Sequence, residues 1–395
     1  MPSILAAHWT LDPEIHFLNH GSFGACPTPI LQAQDRYRAA LERTPVRFLA
    51  GELGGLLDTS REALAGFVGA APEDLVFVPN ATTGVNSVLR SMSLEAGDEL
   101  LITNQGYNAC NNAAHFVAER AGAKVVVVEL PFPVASPEQV TERLLDAVST
   151  RTRLALVDHV TSPTGLVLPL KEIIDALRER GVETLVDGAH APGMIALDLE
   201  ALDPAYYTAN CHKWMCTPKG SAFLYVRRDL QDSVRPAVIS HGANTSQPGR
   251  SRYLTEFDWC GTSDPTAVLC IPDALRFFED LLPGGWDEVR AHNHALALEG
   301  RGLLCDVLGI DDPAPASMIG SIASVPLPDG AGGPGGAFDV DPLQRRLYDE
   351  ARIEVPIHSW PAPPARLLRI SAQLYNGRDD YEALAVALQE QLAGA

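Results

Sequence analysis

Six short apolar runs, separated by longer segments of helical periodicity, mark the first part of the chain. They are DLVFVP (74–79), ELLITN (99–104), KVVVVEL (124–130), RLALVDHV (153–160), ETLVDGA (183–189) and SAFLYV (221–226). Each is aliphatic or β-branched, is bounded by turn residues and lacks polar alternation, which predicts strands buried on both faces. Between them, apolar residues at helical spacing occupy 82–94, 108–121, 137–148 and 170–180. Strand and helix in alternation predict an α/β fold, a mainly parallel sheet covered by helices on both faces. In such sheets ligands bind beyond the carboxyl ends of the strands, so residues directly after each run come first as candidates for chemistry.

After residue 260 the texture changes. Helical patterns at 264–282 and about 287–309 precede separated strands, SIASVPLP (321–328), VPIHSW (355–360) and RLLRISAQLY (366–375), and an amphipathic helix over 378–392. This order predicts a smaller α+β domain. PDGAGGPGGAFDVD (328–341) reads as a flexible glycine-rich connection.

Composition narrows the function classes. With 50 acidic against 30 basic residues the net charge is −20, which disfavours nucleic acid and anionic membranes as partners. No apolar run reaches 18 residues, so no membrane span is expected. The start, MPSILAAHWTLDPEIHFLNHG, lacks a basic segment followed by an apolar one, so no secretion signal is expected. Seven cysteines at irregular spacing fit free thiols in a reducing compartment, and the cytoplasm is the expected location.

One stretch, NCHKWMCTPKG (210–220), concentrates two cysteines, a histidine and two lysines. It could be half a metal site, a redox pair or the anchor of a covalent cofactor. The metal reading wants a second pair of ligands elsewhere, and Cys26, Cys110, Cys260, Cys270 and Cys305 are scattered singly. The redox reading wants a C-x-x-C spacing, which the stretch lacks. Lys213 remains. It follows a strand end between His212 and Trp214, a partly apolar setting that would lower an amine's pKa toward the neutral form an imine requires. Only three other lysines exist, Lys124, Lys171 and Lys219, and each begins a strand, a helix or a turn.

Two further motifs converge with Lys213. In LVDGAHAPG (185–193), Asp187 ends a buried strand and projects a carboxylate from the carboxyl edge of the sheet. A strand-end aspartate is commonly a cap or an ion-pair partner. Pyridoxal phosphate chemistry, however, needs such an acid against the pyridine nitrogen. His190 follows within reach of the ring hydroxyl. In VPNATTGVNSVLR (78–90), a turn with Thr82, Thr83 and Gly84 opens a helix, whose N-terminal amides and hydroxyls favour a phosphate.

The chain resembles the fold-type I pyridoxal phosphate enzymes of the class V aminotransferase family, in the isopenicillin N epimerase-like branch. The resemblance runs in order through FLNHGSFGACP (17–27), VPNATTG, YNACNNA (107–113), DHVTSPTGLVLP (158–169), VDGAHAPG, NCHKWMCTPKG, CGTSDPTAVL (260–269) and RISAQLYN (369–376). It implies pyridoxal 5′-phosphate as cofactor and a large cofactor-binding domain over 20–262, with a mainly parallel mixed sheet sandwiched by helices. A small α+β domain of 263–395 with the segment 1–19 would complete the fold. Lys213 would carry the cofactor as an imine and shuttle the Cα proton. Asp187 would pair with the pyridinium nitrogen, and His190 would sit near O3′. Thr82, Thr83, Asn210 and His212 would hold the phosphate, and Tyr107 would stack on the ring. Thr262 would reach the phosphate of a neighbouring subunit, which implies a homodimer with shared sites. Arg369 would bind the substrate α-carboxylate through two parallel hydrogen bonds, with Asn19, His20 and Gly21 lining the entrance. Asp158, Thr161 or Ser162 would lie near the ring. No metal is expected.

The cofactor leaves the reaction open. Removal of the Cα proton can lead to epimerisation, transamination or β-elimination, according to the second acid/base group and the pocket. Relatives that transfer sulfur use a reactive cysteine on a C-terminal loop, and the one cysteine after 270 is Cys305, inside a helical pattern. The resemblance therefore implies a cysteine-derived secondary-metabolite substrate, with C–S β-elimination and epimerisation ahead of transamination. A relative that keeps the fold without catalysis is the non-enzyme alternative. Substrate choice would rest on 241–259, where Arg250 and Arg252 could meet a second carboxylate, and on 328–341.

Overall fold

The computed structural model of the chain describes residues 3–330 and 340–393. Most of the glycine-rich stretch, 331–339, lies outside the described residues. In chain order the strands are β1 (His16–Phe17), β2 (Leu75–Val78), β3 (Glu99–Thr103), β4 (Lys124–Val128), β5 (Thr152–Asp158) and β6 (Glu183–Asp187). They continue with β7 (Tyr206–Asn210), β8 (Ala222–Val226), β9 (Ile322–Leu327), β10 (Ile353–Glu354), β11 (Ile357–Ser359) and β12 (Arg366–Ser371). Seven of them form the central sheet in the order β2-β8-β7-β6-β5-β3-β4. Its strands are parallel except β8, which runs antiparallel to both β2 and β7.

All six apolar runs are strands of this sheet. The seventh, β7, reads YYTAN; it is buried throughout but aromatic and polar, so a search for aliphatic runs passes over it. In β4 the expectation of a fully buried strand fails, because Lys124 and Val127 are exposed. This strand is the edge of the sheet, with β3 as its single neighbour. Position in a sheet is a tertiary property that a run of valines does not encode.

The covering helices follow their periodicity. In Leu170–Arg178 the buried residues are Leu170, Ile173, Ile174 and Leu177, one stripe at the helical period. Fully burying each such side chain contributes about 1.5–3 kcal/mol. The expected single helix over 264–282 is two, Thr266–Leu269 and Ile271–Leu281. Pro272 lies in the first turn of the second, where a missing N–H costs no helical bond.

Behind the large sheet, β11, β12 and β9 form an antiparallel sheet, against which the helix Gly285–Leu308 packs. β12 ends at Ser371 rather than continuing to 375: Gln373 N–H bonds to Asn376 Oδ1, and the chain turns. β1 pairs in parallel with β10, which ties the first residues to the C-terminal part. Leu18 extends this seam, donating to Glu354 O and accepting from Ser371 N.

Candidate active site

Lys213 follows the carboxyl end of β7 and is partly buried. Burial lowers the amine to about 8, with Asp187 opposing the shift and Arg369 adding to it. Its Nζ lies 3.1 Å from His190 Nε2. The surrounding backbone is fitted closely: Gly24 adopts φ +70°, and a Cβ there would stand 2.6 Å from His212 O and 2.9 Å from Lys213 O. Gly193, at φ +87°, meets the next turn of the same segment, since its Cβ would be 2.5 Å from Trp214 C. Glycines in HGSFG and HAPG thus exist because two loops press on the Lys213 backbone.

Asp158 and Asp187 end β5 and β6 as register partners and are both buried. Asp187 Oδ1 accepts from Ala189 N at 3.0 Å, and its Oδ2 accepts from Cys110 Sγ at 3.1 Å. Burial, then the adjacent Asp187 charge, pushes the Asp158 carboxyl well above its usual range, so this acid holds its proton. Cys110, a plain helix cysteine in the sequence, turns out to support the site carboxylate. Burial and Asp187 push its thiol up, so it remains a donor.

The helix Ala81–Ser91 begins beside these carboxyls. Asn80 caps it, its Oδ1 accepting from Thr83 N at 2.9 Å and from Thr83 Oγ1 at 3.0 Å. Asn210, at the end of β7, accepts from Ala81 N at 2.9 Å, which ties the carboxyl end of that strand to the helix start. His212 donates from Nδ1 to Ser221 O at 2.8 Å, and burial lowers its pKa to about 4. Its Nε2 therefore becomes a donor only when the ring gains a proton. A dianion at the helix start would favour that proton.

Arg369, on β12, is buried and has no carboxylate partner among the described residues. Nη1 donates to Ser162 O at 2.5 Å and Nη2 to Ser22 Oγ at 2.9 Å, while the buried Nε has no acceptor. Burial lowers this guanidinium to about 10. A buried cation with an unused donor is arranged for an anion supplied from outside.

The entrance residues brace this arrangement. Asn19 Oδ1 accepts from Ser22 Oγ at 2.5 Å, and Gly21 N donates to Ser371 Oγ at 3.0 Å. His20 is fully buried; its Nε2 donates to Lys213 O at 3.0 Å, and Nδ1 accepts from Ala25 N beside Tyr375 Oη. Its ring thus grips the lysine backbone, and Ser22, which the sequence did not single out, touches Arg369. Of the three candidates in DHVTSPTG, Asp158 joins the carboxyl pair and Ser162 meets Arg369. Thr161 instead bonds inside its own loop to Thr164 and Leu166.

Tyr107 precedes the helix Asn108–Ala121 and is half exposed. Burial, Cys110 and Asp187 push its phenol up and Arg369 opposes them, so it shares the neighbourhood of all three. Thr262 stands apart on an exposed loop. Lys219 Nζ donates to Gly24 O at 2.6 Å and Lys171 pairs with Asp175, both structural uses. Cys211 and Cys216 are buried, and burial pushes the Cys211 thiol up to about 12. Arg250 is bound to Asp58 and Asp258, so it is not free to meet a substrate.

The set fits pyridoxal phosphate. It offers a partly buried amine near neutrality, a carboxylate at a neighbouring strand end, hydroxyls at a helix N-terminus and an orphaned guanidinium donor. Residues 24–330 match the family model for aminotransferase class V. The chain is 37% identical to isopenicillin N epimerase of Amycolatopsis lactamdurans, with 96% of each chain covered. It is 32% identical to a probable chloroplastic L-cysteine desulfhydrase of Arabidopsis thaliana, over 95% of this chain and 83% of that one. Among solved structures it is similar to the cystine C–S lyase C-DES in complex with its product cysteine persulfide (TM-score 0.78, 23% identity, 96% and 98% covered). The cysteine desulfurase CsdA of Escherichia coli shares the fold as well (TM-score 0.79, 21% identity, 98% of both chains). With a family match across most of its length and a relative 37% identical over nearly the whole chain, the chain belongs to the pyridoxal phosphate-dependent class V aminotransferase family.

Proposed function

We propose that the chain is a pyridoxal 5′-phosphate enzyme that acts at Cα of a cysteine-derived amino acid and cleaves its C–S bond by β-elimination. The observation that carries this reading is the partly buried Lys213 amine beside His190, lowered to about 8 within the fields of Asp187 and of the acid-free Arg369. Bound pyridoxal phosphate supplies an electrophilic carbonyl and an electron sink. Lys213 Nζ takes the Cα proton and returns one to the departing sulfur. Asp187 would hold the proton of the ring nitrogen, and His190 would donate toward O3′. Thr82, Thr83, Asn210 and His212 would hold the phosphate, and Tyr107 would lie against the ring. Arg369, braced by Asn19, His20 and Gly21, binds the α-carboxylate.

Elimination requires one base. Epimerisation requires a second proton donor on the opposite face of Cα. The 37% identity to isopenicillin N epimerase favours epimerisation as the second reading. Thr262, exposed on its loop, supports a homodimer in which it reaches the neighbouring phosphate. The β1–β10 seam supports grouping residues 1–19 with 263–395 as the small domain, beside a large domain of 20–262. No helix among the described residues is long and apolar enough to cross a membrane; a cytoplasmic location and a secondary-metabolic role complete the reading.

The test is incubation with cysteine, cystine, cysteine conjugates and other amino acids in deuterated water. Pyruvate with ammonia supports elimination, and recovered amino acid inverted and deuterated at Cα supports epimerisation. A keto acid formed only with an acceptor would make the protein an aminotransferase. Failure to take up the cofactor would make it an inactive relative.

A further inference from the structure

Trp214 lies next to Lys213 in sequence but points to a different partner. Its ring is buried with Val160, Met194 and Ile322 and tilts against His20, centroids 4.8 Å apart. Its Nε1 lies 3.3 Å from His190 Nδ1. The other nitrogen of that imidazole, Nε2, lies 3.1 Å from Lys213 Nζ. One histidine therefore bridges a tryptophan and the lysine amine.

The indole N–H can only donate, so His190 Nδ1 must present a lone pair. A neutral imidazole with a lone pair on Nδ1 carries its proton on Nε2, and that N–H faces Lys213 Nζ. The contact is then satisfied only if the amine itself has a lone pair. A protonated amine would set two donors against each other, and turning the imidazole to its other tautomer would clash with the indole N–H. Burial together with Lys213 and Arg369 keeps His190 well below its usual range, so a doubly protonated ring does not relieve the conflict. Facing the pair are Asp187 and Asp158 from the sheet edge, Cys110 and Arg369, all acting on Lys213, and His20 beside His190.

We propose that Trp214 is a positioning residue that locks His190 as the Nε2–H tautomer, which favours the free amine of Lys213 over its ammonium form and would aim a donor at the phenolic oxygen of the cofactor. The first half concerns the cofactor-free protein alone. The second rests on the function proposed above.

The experiment is nitrogen NMR of histidine-labelled, cofactor-free protein, with His190 assigned by comparison with His190→Gln. The expected spectrum is that of an imidazole protonated at Nε2. An Nδ1-protonated ring would overturn the proposal without any variant being made. Trp214→Phe, which keeps the ring and removes the N–H, should give a tautomer mixture. It should also slow cofactor attachment at pH 7 by about two- to tenfold, the scale of one neutral hydrogen bond. Unchanged tautomer and unchanged pH midpoint of attachment in that variant would likewise overturn it. An Nε2–H wild type that never attaches pyridoxal phosphate supports the lock and overturns the cofactor reading instead.

Discussion

Asp158 and Asp187 stand side by side at the carboxyl ends of β5 and β6, register partners in adjacent parallel strands, each shielded from water. Two carboxyls so placed do not both ionise. Asp187 accepts two hydrogen bonds, from Ala189 N and from Cys110 Sγ. Asp158 is the partner that holds its proton.

Asp158→Asn should therefore stabilise the cofactor-free protein. The native acid keeps its proton at pH values where the unfolded one has lost it, so stability falls as pH rises above the ordinary carboxylate range. The amide removes that loss. The melting temperature should rise by about 2 °C or more at pH 7, with the gain shrinking toward pH 4. Equal melting curves at both pH values would contradict a protonated Asp158.

Attachment of pyridoxal phosphate to the cofactor-free protein should accelerate as pH rises through about 8, where Lys213 loses its proton. At pH 7 about a tenth of the amine is free, and most is free at pH 9. Stopped-flow absorbance gives the profile. Lys213→Ala should eliminate the visible band and reduce turnover by on the order of 10³-fold or more, whereas Lys219→Ala, which loses a bond to Gly24 O, should keep the band.

Arg369→Lys should raise KM for amino acid substrates far more than it changes cofactor content. A single ammonium cannot reproduce the fork that spans Ser162, Ser22 and a carboxylate, and a charge-assisted bond is worth about 1.5–3 kcal/mol. That corresponds to roughly 10- to 150-fold in kcat/KM. Steady-state kinetics beside cofactor absorbance separates the two effects.

Gly24→Ala should destabilise the fold and loosen the lysine segment together. The new Cβ would meet His212 O at 2.6 Å in a backbone at φ +70°. A cost of about 1–3 kcal/mol is expected, visible in thermal unfolding, with weaker cofactor retention after dialysis. Gly181→Ala, also at positive φ but with open space around its Cβ, is the control that isolates the steric contribution.

The strand positions were readable because β-branched and aliphatic runs bounded by turn residues favour extended backbone at the edge of a sheet as well as inside it, and the helix at 170–178 because its period is local. Lys213, Asp187 and the Thr82-Thr83 turn were readable for a related reason. Each follows a strand, and parallel strands bring their carboxyl ends to one edge. Other features depended on which elements meet. The exposure of β4 follows from its place at the sheet edge, and β7 took its strand form from pairing with β6 and β8 rather than from aliphatic content. Only packing reveals that Cys110 serves Asp187, that His20 grips the Lys213 carbonyl, or that Trp214 reaches His190. Those contacts join residues from 24 to 193 positions apart. The sequence alone determined the family and which candidate groups stand at the strand ends, because residue type and strand-end position are local properties. The tertiary structure decided which protons sit where, because burial and the neighbours of each charge exist only once the chain has folded.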